Sequence, residues 1–130
     1  MMAAKASLFG DRDALAQIMA TDIPSAHKQL GRGVRGYDSD MWNAQKKAIV
    51  KRGSYEKFAQ NSLMARHLLD TKEKILAEAS PHDAVWGIGL GVDDPASWTK
   101  ATWRGQNLLG EVLQEVRSQI LMEQAGISSL

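Results

Sequence analysis

Cysteine is absent from the 130 residues, which excludes a disulfide-built domain, a thiolate zinc site and a cysteine nucleophile. An excess of either charge is missing as well: sixteen Lys and Arg against fifteen Asp and Glu leave a net charge of +1. A broad electrostatic grip on nucleic acid is therefore not expected, which leaves only a local basic patch around a phosphate. No stretch approaches the roughly 20 apolar residues that span a bilayer. The opening Met1-Met2-Ala3-Ala4-Lys5-Ala6 lacks the apolar run of a signal peptide. The expected setting is the cytoplasm, without membrane contact. His27, His67 and His82 have no i, i+4 pairing, so no metal site is expected. No repeat or low-complexity stretch is visible. What is present is an average globular composition, 44% hydrophobic and 24% charged, which predicts one folded domain with a true core.

Helical signals dominate. Residues 1–9 are rich in Ala, Met, Leu and Lys; Gly10 reads as a stop and Asp11 as the cap of a helix over 12–20, with Leu15, Ile18 and Met19 on one face. Pro24 opens a short helix to about residue 30, which Gly31, Gly33 and Gly36 turn into a flexible connector. Asp38 or Ser39 should cap the next helix, buried through Trp42 and Ile49 and closed by Gly53. Ser54 should open a helix over 54–70 with Phe58, Ala65, Leu68 and Leu69 inward. Residues 74–79 are the best strand candidate, and 86–90 a second extended segment weakened by two glycines. Asp93, Asp94 and Pro95 mark a loop running toward Trp98. Over 106–124, Leu109, Val112, Leu113, Val116, Ile120 and Leu121 recur at helical spacing. The expected fold is α+β, predominantly helical, with a small sheet.

Four features exceed what folding alone asks for. Glu78-Ala79-Ser80-Pro81-His82-Asp83 places two carboxylates and a histidine after the strand candidate. Two carboxylates in different surroundings can divide glycosidase work, although solvated acids at a strand end are the plainer account. A Ser80–His82–Asp83 triad is discounted, because residues so close in sequence rarely reach relay geometry. Trp86-Gly87-Ile88-Gly89-Leu90 suits either stacking on a base or sugar, or a core Trp beside a bulge. Trp103-Arg104-Gly105-Gln106-Asn107 joins an aromatic, a glycine and an amide at a helix N-terminus, where a phosphate is favoured. Asn107 alone is equally well explained as a cap. Lys5 lies among alanines and is either a phosphate ligand, an amine nucleophile of lowered pKa, or a chain snorkelling to solvent. Lys28 and Arg32 lie further on. The polar Gln60-Asn61 pair reads first as structural.

Taken together, the chain resembles the NADAR family, which includes N-glycosidases of riboflavin-pathway intermediates. The resemblance rests on Lys5-Ala6 with Phe9 and Asp11, Lys28 with Leu30-Gly31-Arg32, Trp42, Lys57-Phe58-x-Gln60-Asn61, Leu68-Leu69-x-Thr71 and Leu76-x-Glu78-Ala79-Ser80. Its strongest words are Asp83-x-x-Trp86-Gly87-Ile88-Gly89-Leu90 and Trp103-x-Gly105-x-Asn107-x-Leu109-Gly110, followed by Val116-Arg117. It implies a single domain over 1–130 and a pocket for ribosyl-phosphate or ADP-ribosyl small molecules, with ADP-ribosylated nucleic acid as a further substrate. No cofactor, metal or protein partner is implied. The expected activity is hydrolysis of an N-glycosidic bond in early riboflavin intermediates or ADP-ribosylated guanine. Glu78, Asp83 and Lys5 would be catalytic; Lys28, Arg32, Trp86, Gly87, Trp103, Gly105 and Asn107 would bind substrate. Family members carry a strand region and a glutamate before the Lys-Ala word, so the resemblance also implies a chain lacking that N-terminal segment. A non-catalytic ADP-ribose-binding module or an inactive truncated homologue is the alternative, and a helical interaction protein ranks third.

Overall fold

The computed structural model describes residues 1–126, and their regular structure consists of six α-helices and two 3₁₀ turns. The helices are α1 (Met2–Leu8), α2 (Arg12–Met19), α3 (Pro24–Arg32), α4 (Ser39–Ala59), α5 (Ser62–Asp70) and α6 (Leu108–Gln124). The 3₁₀ turns are Pro95–Trp98 and Lys100–Thr102. The chain divides into two compact units, residues 1–49 and residue 50 onward, with the division inside α4.

In the first unit, α1, α2 and α3 bury Ala6, Ala14, Ile18 and Val34, with Phe9, Leu15 and Leu30 packed around them. Small residues let the helices approach closely. Gly31, expected to interrupt its helix, is instead buried inside α3, where any Cβ would run into the Met2 side chain. Asp11 caps α2 as expected, accepting the Ala14 N–H at 3.0 Å. Asp38, not Ser39, receives a backbone N–H at the start of α4, from Met41 at 3.1 Å.

In the second unit, Val112, Val116 and Ile120 lie four residues apart along α6 and pack with Leu68 of α5. Val112 and Val116 have no exposed surface, and each such side chain contributes roughly 1.5–3 kcal/mol by leaving water. Gly53 does not end a helix; α4 runs straight through it to Ala59. A single glycine costs only about 1 kcal/mol in a helix, too little to break one whose flanks are good helix formers. The break comes at Asn61, whose extended backbone and side-chain bond to the Met64 N–H start α5.

The expected small sheet is overturned: among the described residues no strand forms, and the fold is all-helical rather than α+β. A strand needs a neighbouring backbone to complete its ladder. Between the Lys74 carbonyl and the Glu78 N–H, the partners of this segment are side chains instead. Arg117 Nη1 donates to the Lys74 carbonyl at 2.9 Å, and the Leu76 N–H donates to Gln114 Oε1 at 2.9 Å. The Asn107 amide donates to the Leu76 carbonyl at 2.8 Å and accepts the Glu78 N–H at 3.0 Å. The 86–90 segment fails for a different reason. Five successive carbonyls, Ala84 to Ile88, accept N–H groups from Gln106, Leu108, Leu109, Asn107 and Arg104 in that order. Strand carbonyls alternate in direction and show a neighbour only every second one. This run is therefore a coiled loop, assisted by Gly89 at φ +72°.

Among the described residues, no helix is long and apolar enough to cross a membrane.

Candidate active site

The loop of the second unit gathers most of the expected site residues, and it uses several of them as scaffold. Asp83 Oδ1 accepts the N–H groups of Val85 at 3.0 Å and Trp86 at 2.8 Å, pinning the turn that presents half-buried Trp86. Gly87 is buried, and the position needs a glycine because a Cβ there would lie 2.8 Å from the Asp83 carbonyl oxygen and 2.9 Å from that of Glu78. At Gly105 a Cβ would collide with the Gly87 carbonyl oxygen. Asn107 occupies the N-cap position of α6 at φ 56°, yet its side chain does not cap that helix. It turns back to clamp Leu76 and Glu78, as described above.

At the α6 N-terminus, where the sequence favours a phosphate, two N–H groups are used within the loop. The Leu108 and Leu109 N–H groups already donate to the Val85 and Trp86 carbonyls at 3.2 and 3.1 Å. Trp103 is half-buried, with its indole N–H donating to the Ser97 carbonyl at 2.8 Å. Glu78 offers its backbone to the loop, since its carbonyl accepts the Ser80 and Ile88 N–H groups. Its side chain is exposed. Of the two acids, Asp83 is thus held by backbone donors, while Glu78 faces solvent.

The first unit builds a second constellation around Lys5, in the last turn of α1. Its ammonium donates to the Gly31 carbonyl at 2.7 Å. The same nitrogen lies 4.6 Å from the centre of the Tyr37 ring and 5.8 Å from that of Trp42, within cation–π reach of both. Phe9 meets Tyr37 edge-to-face, 5.4 Å between centres. Partial burial pushes the Lys5 pKa below the ordinary lysine value, because a low-dielectric surrounding penalises the charged form. Lys28 and Arg32 are exposed on α3. Lys28 borders a cavity of about 370 Å³ together with Met2, Met19 and His27, and neither Lys5 nor Arg32 is among the described residues lining it.

Tyr37 and Arg35 escaped the sequence reading. Arg35 lies within the Gly31–Gly36 stretch and Tyr37 directly after it, where no helical period marks an inward face. An aromatic directly after a turn glycine was the only available signal. Asp11 was read as a cap alone, but it also binds Arg35. Asn61 is confirmed as structural, capping α5. Among the described residues, no group of three or more His, Asp or Glu is placed to hold a metal ion.

Comparison with known proteins gives these residues a family. Residues 1–121 match the NADAR domain model. The chain is 41% identical over 119 residues to the N-glycosidase R617 of Acanthamoeba polyphaga mimivirus, covering 92% of this chain and 70% of that protein. It is 38% identical over 122 residues to Protein irg-1 of Caenorhabditis elegans, covering 92% of this chain and 58% of the worm protein. It is also 30% identical over 114 residues to the chloroplastic Riboflavin biosynthesis protein PYRR of Zea mays, covering 85% of this chain and 16% of that protein. By the extent of these matches, the chain belongs to the NADAR domain family.

Proposed function

We propose that the chain is an N-glycosidase that hydrolyses the C1′–N bond of ribosylated nucleobase compounds, either riboflavin-pathway ribosyl-phosphates or ADP-ribosylated guanine. The observation that carries this reading is Lys5, an amine of lowered pKa held beneath two aromatic rings. A neutral amine is a nucleophile for an aldehyde-level carbon. On the ring-opened sugar it adds to C1′, and the base departs with the electron pair of the C1′–N bond and gains a proton. Water then adds to the resulting imine, releasing the sugar aldehyde and restoring the lysine. Proton transfers of this kind are the work of a carboxylate or of water, and Glu78 is the exposed carboxylate that Glu78→Gln tests. The relative named as an N-glycosidase supports the bond type, and the maize relative named for riboflavin biosynthesis supports a ribosyl-phosphate.

A non-catalytic binding module is the second reading, favoured by the use of Asp83 as a backbone clamp. The two are separated by incubating the protein with 5-amino-6-ribosylaminouracil 5′-phosphate and with guanine-ADP-ribosylated DNA. Mass spectrometry follows release of ribose 5-phosphate or ADP-ribose. Release that disappears in Lys5→Met establishes the glycosidase. No release from either substrate, with ADP-ribose still binding, overturns it in favour of the module.

A further inference from the structure

Asp11 joins the helix that carries Lys5 to the turn that carries Tyr37. Its backbone N–H donates to the carbonyl of Ala6, the residue after Lys5, at 3.0 Å. Its side chain, only 3% exposed, reaches the other way. Oδ2 accepts the Arg35 backbone N–H at 2.8 Å, and Oδ1 accepts Arg35 Nη2 at 3.0 Å. One residue on, Gly36 adopts φ +77° with its missing Cβ 3.2 Å from the Phe9 carbonyl oxygen. That glycine lets the chain fold back against the end of α1. Tyr37 follows directly, with its ring beside Phe9 and over Lys5.

We propose that Asp11 and Arg35 are positioning residues of the Lys5 site: their pairing fixes the 35–37 turn and thereby holds the Tyr37 ring over the Lys5 amine. The catalytic part of this inference rests on the proposed glycosidase reading; the geometric part does not. Capping α2 needs only the bond to the Ala14 N–H. The two further bonds to Arg35 have no role in that helix, and they end where Tyr37 begins. A buried carboxylate accepting three such donors is a strong restraint. The Arg35 contact with Asp13, by contrast, joins two exposed side chains and should contribute little.

The test reads Lys5 without substrate. In protein labelled with ¹³C-lysine, the Tyr37 ring current shifts the Lys5 ε-methylene signal upfield, and Lys5→Arg identifies that signal by its loss. Tyr37→Leu should abolish the shift. Asp11→Ala should abolish it too, Arg35→Ala should reduce it, and Asp13→Ala should leave it unchanged. In Asp11→Ala, kcat/KM should fall about 10²-fold, the order expected of a misplacement near 1 Å. An unchanged Lys5 signal in folded Asp11→Ala overturns the proposal. If that variant does not fold, an unchanged signal in Arg35→Ala overturns it instead, because the Arg35 side chain is 70% exposed and its removal spares the core. A chain that turns over neither substrate yet loses the shift in these variants refutes the glycosidase reading and upholds the positioning role.

Discussion

Lys5 owes its proposed reactivity to competing local effects. The Tyr37 and Trp42 rings favour its cation, whereas partial burial opposes it, and burial sets the direction of the shift. The free-amine fraction therefore grows as pH rises through a value below the ordinary lysine pKa of about 10.4. Activity that needs the amine should climb with pH, with its midpoint below that value. A kcat/KM profile checks this, and Lys5→Arg should lower turnover by roughly a hundred-fold or more, since arginine offers no neutral amine. Asp11 shows the opposite sign. The Arg35 bonds hold its carboxyl well below the usual carboxylate range. Its stabilisation is complete above the unfolded carboxylate value near pH 4 and is lost as pH falls through the lower folded value. Melting temperatures of wild type and Asp11→Asn should thus lie furthest apart near neutrality and converge in strong acid. For the two loop acids, Asp83→Asn keeps an oxygen for the Val85 and Trp86 N–H groups and should retain activity within a few-fold. Glu78→Gln should lose roughly a hundred-fold.

At the scale of elements, glycine has three different uses in the helices. Gly53 sits exposed in α4 with nothing within 4 Å of a would-be Cβ, so Gly53→Ala should stabilise by about 0.5–1 kcal/mol. Gly110 sits in α6 where a Cβ would press on the Leu76 carbonyl oxygen and the Asn107 amide. Gly110→Ala should destabilise by about 1–3 kcal/mol despite its better helix propensity, as overpacking does. Urea midpoints of the two variants should move in opposite directions. Gly31 is the third case, a close approach of α1 and α3 within the first unit. The same pressure explains the loop of the second unit, where Gly87 and Gly105 let backbones pass at distances a side chain forbids.

At the scale of the whole molecule, the near balance of charge carries the consequence. With a net charge of +1, substrate capture should depend on a few local groups rather than on a long basic surface. Between 50 and 200 mM salt, a protein making many phosphate contacts loses about 10³–10⁵ in affinity. This chain should lose no more than roughly ten-fold on either substrate over that range, which titration of KM with salt will measure.

Sequence by itself determined the helical character and the family, though not the break between α4 and α5, which falls at Asn61 and not at Gly53. Apolar positions three and four apart marked Ile18 of α2 and Val112, Val116 and Ile120 of α6 as inward, although Met19 and Leu121 from the same runs lie exposed; Asp11 declared its helix start, and the ordered words from Lys5 to Arg117 carried the kinship. These signals are local or depend on order along the chain, so one sequence displays them. Tertiary structure decided the rest. Residues 74–79 and 86–90 looked like strands because apolar runs do not reveal their hydrogen-bond partners, which proved to be side chains of α6 and its N-cap Asn107 and a non-alternating run of N–H groups. Gly53, Gly31 and Gly110 are one letter in the sequence; what surrounds each missing Cβ separates them. Tyr37 reached Lys5 through a turn pinned by Asp11 across 24 residues, and contacts at that separation leave no period to read.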